Sequence, residues 1–442
     1  MFHLNKGVEI TPALLQKMIE RFRLNVEPQL NKYKNYYDGI QAILTKSYSD
    51  PTKPCNKSVI NYCKNIVDSY CGYLATPGCI SYRSDNDIEM VMDVLRYNDH
   101  ETQDGNLLLD ALVYGMAAEL MFIDNEGQVR FRNINPSQCF GVYDDTLSAD
   151  LLYFVRMYKV NEWDDSDTYN VDVYSDYTIK HYTMKGIDGL PQFLNEDFHY
   201  FSQCPANIFY LPDEKSIFDC VINLQDSVNE LLSAEIDDYS AFCDAYLVLE
   251  GVDADIDDIA SMKENRVLLL PEGSKASWLT KAAIDAQVEN ILKRIHDSIY
   301  RIAQCPDFSS ETFVGGVSSG VAIKYRLTGM ETRAGKIEGE MRKALQRRIE
   351  IICGIATLKL GVEIFRDIDI EFKRNIPEDI TSTINLINSL KGTVSDATLL
   401  SQLDFVTDVN AELEALKEQK AANMEAYGFG AFGFETEEEE TE

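Results

Sequence analysis

The chain has 442 residues, 45% of them hydrophobic and 26% charged, which is enough for several domains with a sizeable core. Its formal net charge of -32 excludes a protein that grips DNA over its whole surface, because such a protein needs an excess of lysine and arginine to neutralise phosphates. No run of about 20 apolar residues occurs and the N-terminus lacks a signal-peptide pattern, so we expect no membrane segment.

The first half of the sequence predicts an α+β body. Apolar residues recur at helical spacing over residues 11–48, 58–75 and 88–122. Beyond these helices the spacing changes to two, with asparagine, aspartate and glycine between the segments, which is typical of strands joined by turns. The predicted strands cover residues 129–132, 139–143, 151–160, 171–174 and 178–183.

Two long amphipathic helices follow, one over residues 213–241 and one over 282–304. The first carries an acidic stripe beside its apolar stripe, formed by Asp219, Asp226, Glu230 and Asp237. The residues between the helices predict a small α/β unit, with strands at 246–249 and 266–270. Neither helix can bury its apolar stripe alone, so we expect the two to pack together or against copies of themselves.

A glycine- and serine-rich stretch, PDFSSETFVGGVSSG at residues 306–320, predicts a mobile loop. Residues 321–360 then show a helical pattern that Gly329, Gly335 and Gly339 should bend or weaken. This stretch is locally basic, because Glu331, Glu338 and Glu340 are outnumbered by eight cations: Lys324, Arg326, Arg333, Lys336, Arg342, Lys343, Arg347 and Arg348. The candidate contact residues are the first four, Lys324, Arg326, Arg333 and Lys336. Two interpretations stay open for them: pairing with an acidic surface of another subunit, or contact with phosphates.

The sequence offers one motif with catalytic potential, and its context excludes the chemistry. GVSSG at residues 316–320 matches the GxSxG nucleophile elbow, but that elbow needs a later histidine and the last one is His296. No P-loop and no paired-histidine zinc motif occurs. The ten cysteines lack metal-ligand spacing, and we expect them to be reduced core residues. The sequence therefore predicts no enzyme, no cofactor and no metal.

Short sequence patterns across residues 30–375 carry a likeness to a known family. They are YKNYYDG at 33–39, NKSV at 56–59, NY at 61–62, IVD at 66–68, GYL at 72–74, YGMA at 114–117, FID at 122–124, Pro136, VYD at 142–144, DAYLVL at 244–249, PDF at 306–308 and SGVAIKY at 319–325. With the order long helix, α/β unit, long helix, glycine loop and helix, they resemble portal proteins of tailed bacteriophages, in particular the SPP1 type from siphophages. Val228, where the family has an aromatic residue, and the C-terminal region depart from the pattern.

The resemblance implies an α+β portal fold that assembles as a ring. The implied parts are a wing over residues 1–212, stem helices over 213–243 and 281–305 that flank a clip over 244–280, a tunnel loop over 306–320, a kinked wing helix and wing strand over 321–375, a helical crown over 376–434 and a disordered acidic tail over 435–442. The tunnel-loop residues are Phe313, Val314, Gly315, Gly316, Val317, Ser318, Ser319 and Gly320. We expect the acidic stripe of the first stem helix to line the channel.

The function that the resemblance implies is a DNA conduit without chemistry of its own. A portal ring, dodecameric in virions and of twelve or thirteen subunits when recombinant, sits at one capsid vertex, where double-stranded DNA is packaged and ejected. The implied partners are the terminase large subunit, a head-completion adaptor protein, and the major capsid and scaffolding proteins, with assembly in the host bacterial cytoplasm and no membrane. The alternative is a soluble structural or scaffolding protein that assembles through coiled-coil-like helices and has no DNA role.

Overall fold

The structure is a computed structural model, and it describes residues 2–50, 53–159, 167–186, 188–242, 246–250, 275–279, 285–309, 320–360, 367–375, 384, 387–400 and 409–426. The chain folds as two units, Met1–Asn375 and Ile376–Glu442. It mixes helices with mostly antiparallel sheets, which confirms the predicted α+β class. In the described residues no helix combines the length and the apolar character that crossing a bilayer requires.

The helices of the described residues divide between the two units. The first unit holds α1 (Pro12–Asn25), α2 (Glu27–Asp38), α3 (Tyr62–Leu74), α4 (Glu89–Tyr97), α5 (His100–Tyr114), α6 (Ile222–Phe242), α7 (Asp285–Ala303) and α8 (Gly320–Leu360). The second unit holds α9 (Asp396–Leu400) and α10 (Val409–Ala426). The predicted helix over residues 11–48 is thus two helices, and α2 ends at Gly39, whose φ of 86° suits glycine.

The strands form one large sheet and three smaller ones. They are β1 (Phe2–His3), β2 (Ile80–Arg83), β3 (Met116–Ile123), β4 (Val129–Ile134), β5 (Cys139–Tyr143), β6 (Leu151–Lys159), β7 (Thr168–Tyr174), β8 (Thr178–Lys185), β9 (Gln192–Phe198), β10 (Ala206–Tyr210), β11 (Tyr246–Glu250), β12 (Lys275–Leu279) and β13 (Asp369–Phe372). The six-stranded sheet has the order β1-β5-β6-β7-β8-β9, with β1 parallel to β5 and every other pair antiparallel. The other sheets are β10-β3-β4, β13-β2 and β11-β12.

The core of the first unit lies where three helices meet the three-stranded sheet. Helix α5 packs on β3 and α3, and α8 packs on β10 and α3. The fully buried apolar residues at this junction include Tyr70, Leu107, Leu108, Ala111, Leu112, Ala117, Leu345 and Ile349. At roughly 25 cal/mol per Å² of buried apolar surface, the larger of these side chains stabilise the junction most.

The helix that the sequence predicted through residue 122 ends at Tyr114 instead. Gly115 follows with a φ of 83°, and a Cβ atom there would lie 2.6 Å from the backbone of Lys215. Both the left-handed backbone and the close approach require glycine. The chain therefore turns at Gly115 and continues as β3, whose first six residues are all buried.

The first long helix also begins later than residue 213, the predicted start. Glu214 has a φ of 52°, and the Ile217 amide donates to the Leu112 carbonyl at 3.0 Å, so this part of the chain forms a turn against α5. A 3-10 turn at Asp219–Val221 then leads into α6, which packs against α7.

Helix α8 runs as one helix through the three glycines, and the bend or weakening expected at them stays a prediction. Between α6 and α7, β11 pairs with β12, a strand that was not predicted. The strand predicted at residues 266–270 lies outside the described residues.

Candidate functional site

Four buried polar side chains form a row along α6 at steps of four residues. They are Gln225, Asn229, Ser233 and Asp237. Each accepts a hydrogen bond from a backbone amide of an extended segment at residues 56–62. The pairs are Tyr62 N to Gln225 Oε1 at 3.0 Å, Ile60 N to Asn229 Oδ1 at 3.0 Å, Ser58 N to Ser233 Oγ at 3.0 Å, and Asn56 N to Asp237 Oδ1 at 2.6 Å. We call these four contacts the polar ladder.

The polar ladder follows from the geometry of its two backbones. Four residues of an α-helix advance about 6 Å, and two residues of an extended chain advance about 6.6 Å. Every second amide of the segment therefore meets every fourth side chain of α6. Residues 56–61 are neither helix nor strand, and Tyr62 is the first residue of α3, so these inward amides need side-chain acceptors when they are covered. The Tyr62 amide also lies 3.2 Å from the Ile60 carbonyl.

Two further contacts tie the polar ladder to α2. The Asn229 side-chain amide donates to Gln41 Oε1 at 2.5 Å, and Gln41 Nε2 in turn donates to the Tyr36 carbonyl at 3.3 Å. Gln41 is itself buried, so these two hydrogen bonds satisfy the side-chain amides of Asn229 and Gln41 where water is excluded.

The predicted acidic stripe meets the same N-terminal region. Tyr33 donates its hydroxyl to Asp219 at 2.7 Å, and Tyr36 donates to Asp226 at 2.9 Å. Two effects raise the pKa of Tyr33 to about 12: burial, which is the larger, and the hydrogen bond to Asp219. Burial, followed by the hydrogen bond to Asp226, likewise raises the pKa of Tyr36. Both tyrosines are therefore neutral donors at any physiological pH.

Asp237 accepts from the backbone and side-chain amides of Asn56, and its carboxylate lies 3.7 Å from Lys46 Nζ. Burial works to raise the pKa of Asp237, but the two Asn56 hydrogen bonds and the Lys46 charge outweigh it and hold that pKa below its usual range. The carboxylate is thus a fixed acceptor that ends the polar ladder.

Three of the four stripe acids are therefore hydrogen-bonded to their own chain, and Glu230 is exposed. The exposed residues of α6 include Asn223, Glu230, Ala234 and Asp238. The lining of a channel by the stripe stays a prediction.

The predicted basic residues at the start of α8 differ in their surroundings. Arg333 donates to the Ala303 carbonyl at 3.0 Å and to the Ile217 carbonyl at 2.8 Å, so it fastens the end of α7 and the turn before α6 to α8. Lys324, Arg326 and Lys336 are exposed. Their contact with DNA or with another subunit stays a prediction.

The tunnel-loop prediction falls mostly on residues 310–319, which lie outside the described residues. These include Phe313, Val314, Gly315, Gly316, Val317, Ser318 and Ser319. Gly320 is the first residue of α8.

A buried ion cluster joins α8 to β3 and α5. It was not predicted from the sequence. The Arg348 guanidinium is fully buried and binds both carboxylate oxygens of Glu119, at 2.9 and 2.6 Å, and the carboxylate of Asp104. Desolvation acts to lower the pKa of Arg348, but the two carboxylates raise it well above its usual value. The signal in the sequence was a cation on the apolar face of the helix, between Leu345 and Ile352.

No group of three or more histidine, cysteine, aspartate or glutamate side chains in the described residues is arranged to hold a metal ion. The nine cysteines in that part of the chain form no disulfide, and most are buried as expected, although Cys220 is exposed.

Comparison with known proteins gives a consistent result. A family model for phage portal proteins, SPP1 Gp6-like, matches residues 23–426. The chain is 23% identical to the portal protein of Bacillus phage SPP1 over 460 aligned residues, which cover 94% of this chain and 88% of that protein. It is 22% identical to the portal protein of Clostridium phage phiCD119 over 421 residues, covering 88% of this chain and 92% of that one. Because the family model spans nearly the whole chain, this protein belongs to the SPP1 Gp6-like family of phage portal proteins.

Proposed function

We propose that this chain is one subunit of a portal ring at a capsid vertex, through which double-stranded DNA is packaged and ejected. The observation that carries the proposal is the match to the portal family over residues 23–426, which includes both long helices and the polar ladder. The ring is dodecameric in the virion, and the protein acts by confinement and docking rather than by catalysis.

An open apolar stripe on α7 supports assembly with further copies of this chain. Ile299 is fully buried within the subunit, whereas Ile291 and Ile302 are 45% and 46% exposed. These two lie eleven residues apart, which is about three helical turns, so they share one face. A neighbouring subunit that covers this face makes a contact between unlike surfaces, and such contacts form a ring when the rotation from one subunit to the next closes on itself.

The charge of the chain supports a passage that does not hold DNA. With a net charge of -32, the wall of a ring repels phosphates and leaves the duplex free to slide. In this proposal Glu230 faces the channel, while Asp219, Asp226 and Asp237 hold the helix to the N-terminal segment. Lys324, Arg326 and Lys336 make the local phosphate or intersubunit contacts.

The parts of the portal fold take the following proposed limits. Residues 1–212 and 321–375 form the wing, 213–243 and 281–305 the stem, 244–280 the clip, 306–320 the tunnel loop, 376–434 the crown and 435–442 an acidic tail. The clip docks the terminase large subunit and later a head-completion adaptor, and the wing contacts the major capsid and scaffolding proteins.

Mass measurement and negative-stain images of the purified protein test the proposal. We expect closed rings of twelve or thirteen subunits, and Ile291→Asp should leave folded protein that no longer forms them. Leu24→Asp is the matched control, because Leu24 is 70% exposed on α1 and its replacement should leave ring formation unchanged. A small oligomer or an open filament in the wild type would instead favour a scaffolding protein without a DNA role.

A further inference from the structure

The six-stranded sheet ends in an unusually open edge. Its last strand, β9, is seven residues long, and every one of its residues is exposed. In the described part of the chain no strand pairs with the outer side of β9. Long open edges attract other strands, and proteins that do not use them keep them short or covered.

The backbone direction along this edge follows from one hydrogen bond. The His199 amide donates to the Tyr177 carbonyl at 3.1 Å, so this pair faces inward. Antiparallel strands alternate, which turns the amide and carbonyl groups of Asp197 toward β8 and those of Glu196 and Phe198 outward. The outer side of β9 therefore offers backbone donors and acceptors to an incoming chain.

Two aromatic side chains lie beside these backbone groups. The strand register pairs Phe193 with Tyr182 and Phe198 with Thr178, which places both phenylalanines on one face of the sheet. Phe193 and Phe198 are 54% and 77% exposed. The Tyr182 ring lies edge-on against Phe193, with 5.8 Å between the ring centroids, and the exposed surface of both phenylalanines is open for a further strand to cover.

Charge indicates which kind of strand fits. Glu196 lies between the two phenylalanines on the same face, and the register places it opposite Lys180, which already lies 3.9 Å from the exposed Glu9. The local surface is therefore acidic between two apolar positions. Pairing of this edge with the same edge of a second copy would bring Glu196 near its own counterpart, and like charges placed opposite each other destabilise a strand pair.

We propose that β9 accepts an extended segment of another protein as a seventh strand, with apolar residues flanking a lysine or arginine at alternate positions. Backbone hydrogen bonds to Glu196 and Phe198 hold the segment, and the aromatic pair with Glu196 selects its sequence. The proposal goes beyond the DNA passage and does not depend on ring closure.

A labelled peptide of alternating valine and threonine with a central lysine serves as the probe, and the same peptide with glutamate in place of lysine is its control. Fluorescence anisotropy measures binding to the full chain, and hydrogen exchange measures protection of the β9 amides. We expect the lysine peptide to bind and to slow exchange at Glu196 and Phe198, while the glutamate peptide binds at least fivefold more weakly.

Two variants of one residue separate the backbone contribution from the charge. Glu196→Gln removes the charge alone and should weaken lysine-peptide binding by roughly two- to fivefold, the range of a cross-strand charge pair. Glu196→Pro also removes the outward amide, which an edge strand tolerates, and should weaken binding more than tenfold at an unchanged melting temperature. If the proline variant melts early, Phe198→Ser takes its place, with the same expected loss of binding.

Several results would overturn the proposal. They are binding that Glu196→Pro or Phe198→Ser leaves intact, equal binding of both peptides, or the absence of protection at β9 with saturating peptide. Self-association of the wild type that Glu196→Pro abolishes would also overturn it, because the occupant would then be a second copy of this chain.

Discussion

Arg348 shows how strongly a single residue can depend on its partners. Its guanidinium is fully buried, so it is stable only because Glu119 and Asp104 surround it, and the Phe131 ring lies 4.4 Å from it. The sequence placed a cation on the apolar face of a helix, but it could not show the acids that neutralise it. Glu119 lies 229 residues earlier in the chain.

Arg348→Met should lower the free energy of unfolding by about 3–5 kcal/mol, because two buried carboxylates lose their counter-charge. Urea denaturation measures the loss. Arg96→Met is the matched control, since Arg96 pairs with Glu89 and Asp93 at the surface, where solvent screens the charges, and its loss should be far smaller. Equal losses in the two variants would contradict a special role for the buried cluster.

Asp237 gives the protein a defined response to acid. Its pKa is lowered in the folded chain, so its contribution is complete above the unfolded value of about 3.9 and is lost as the pH falls through the folded value. Asp237→Asn keeps an acceptor for the Asn56 amide but cannot titrate. The stability gap between wild type and this variant should therefore be largest near neutral pH and should shrink below about pH 4.

Urea denaturation at several pH values measures that gap. Glu230→Gln, on the exposed face of the same helix, is the control and should track the wild type at every pH. A gap between wild type and Asp237→Asn that is constant from neutral pH to pH 3 would show that ionisation of Asp237 does not stabilise the fold.

At the scale of the elements, the polar ladder is the contact that ties α6 to residues 56–62. Asn229→Leu should leave the Ile60 amide covered without an acceptor and cost about 1–3 kcal/mol. Asn223→Leu, at an exposed position of the same helix, should stay within about 0.5 kcal/mol of the wild type.

Hydrogen exchange tests the polar ladder amide by amide, whereas the free energy of unfolding reports only the sum of its contacts. The amides of Asn56, Ser58, Ile60 and Tyr62 should exchange slowly in the wild type, and Asn229→Leu should release Ile60 first. Slow exchange at Lys57 or Val59 to the same degree would mean that general burial, and not the alternating acceptors, protects the segment.

The strands that could be predicted are those set off by turn residues. Strands β4 to β8 were found because segments that alternate or are rich in β-branched and aromatic residues are separated there by asparagine, aspartate and glycine. Strand β3 is buried at six successive positions, so its sequence continued the apolar pattern of α5 and was assigned to that helix. Strand β9 is exposed throughout and carries no alternation at all.

Of the candidate site, the acids on the helix could be predicted from the sequence, but their hydrogen-bond partners could not. Steps of seven, four and seven place the four acids on one helical face, and three of them do accept hydrogen bonds from the N-terminal part of the chain, each from a different residue. The nature of those partners was hidden, because Tyr36 lies 190 residues before Asp226. Glu230 at the edge of the same stripe stays exposed, which periodicity alone cannot distinguish.

At the scale of the whole molecule, Glu230 tests the repelling passage. Glu230→Lys should leave ring formation unchanged and reduce DNA packaging, because each subunit adds a positive charge that attracts phosphates inside the channel. DNA protected from nuclease in packaging reactions measures the effect at low and moderate salt.

Glu101→Lys on the exposed start of α5 changes the same charge away from the proposed passage, and it should package like the wild type. The defect of Glu230→Lys should also shrink as salt screens the added charge. Equal packaging by both variants at low salt would place Glu230 outside the channel.

The spacing of the polar ladder also limits how α6 can move. Its rungs repeat about every 6 Å along the helix, so a small slide leaves all four amides between acceptors, and the next matching position is a full helical turn away. The mismatch between the two repeats, roughly 0.6 Å per rung, further restricts the match to a few rungs. The helix and residues 56–62 therefore move together, because sliding one along the other would break all four hydrogen bonds at once. Any displacement of α6 within a working ring carries Tyr62, and with it the first turn of α3, in the same direction.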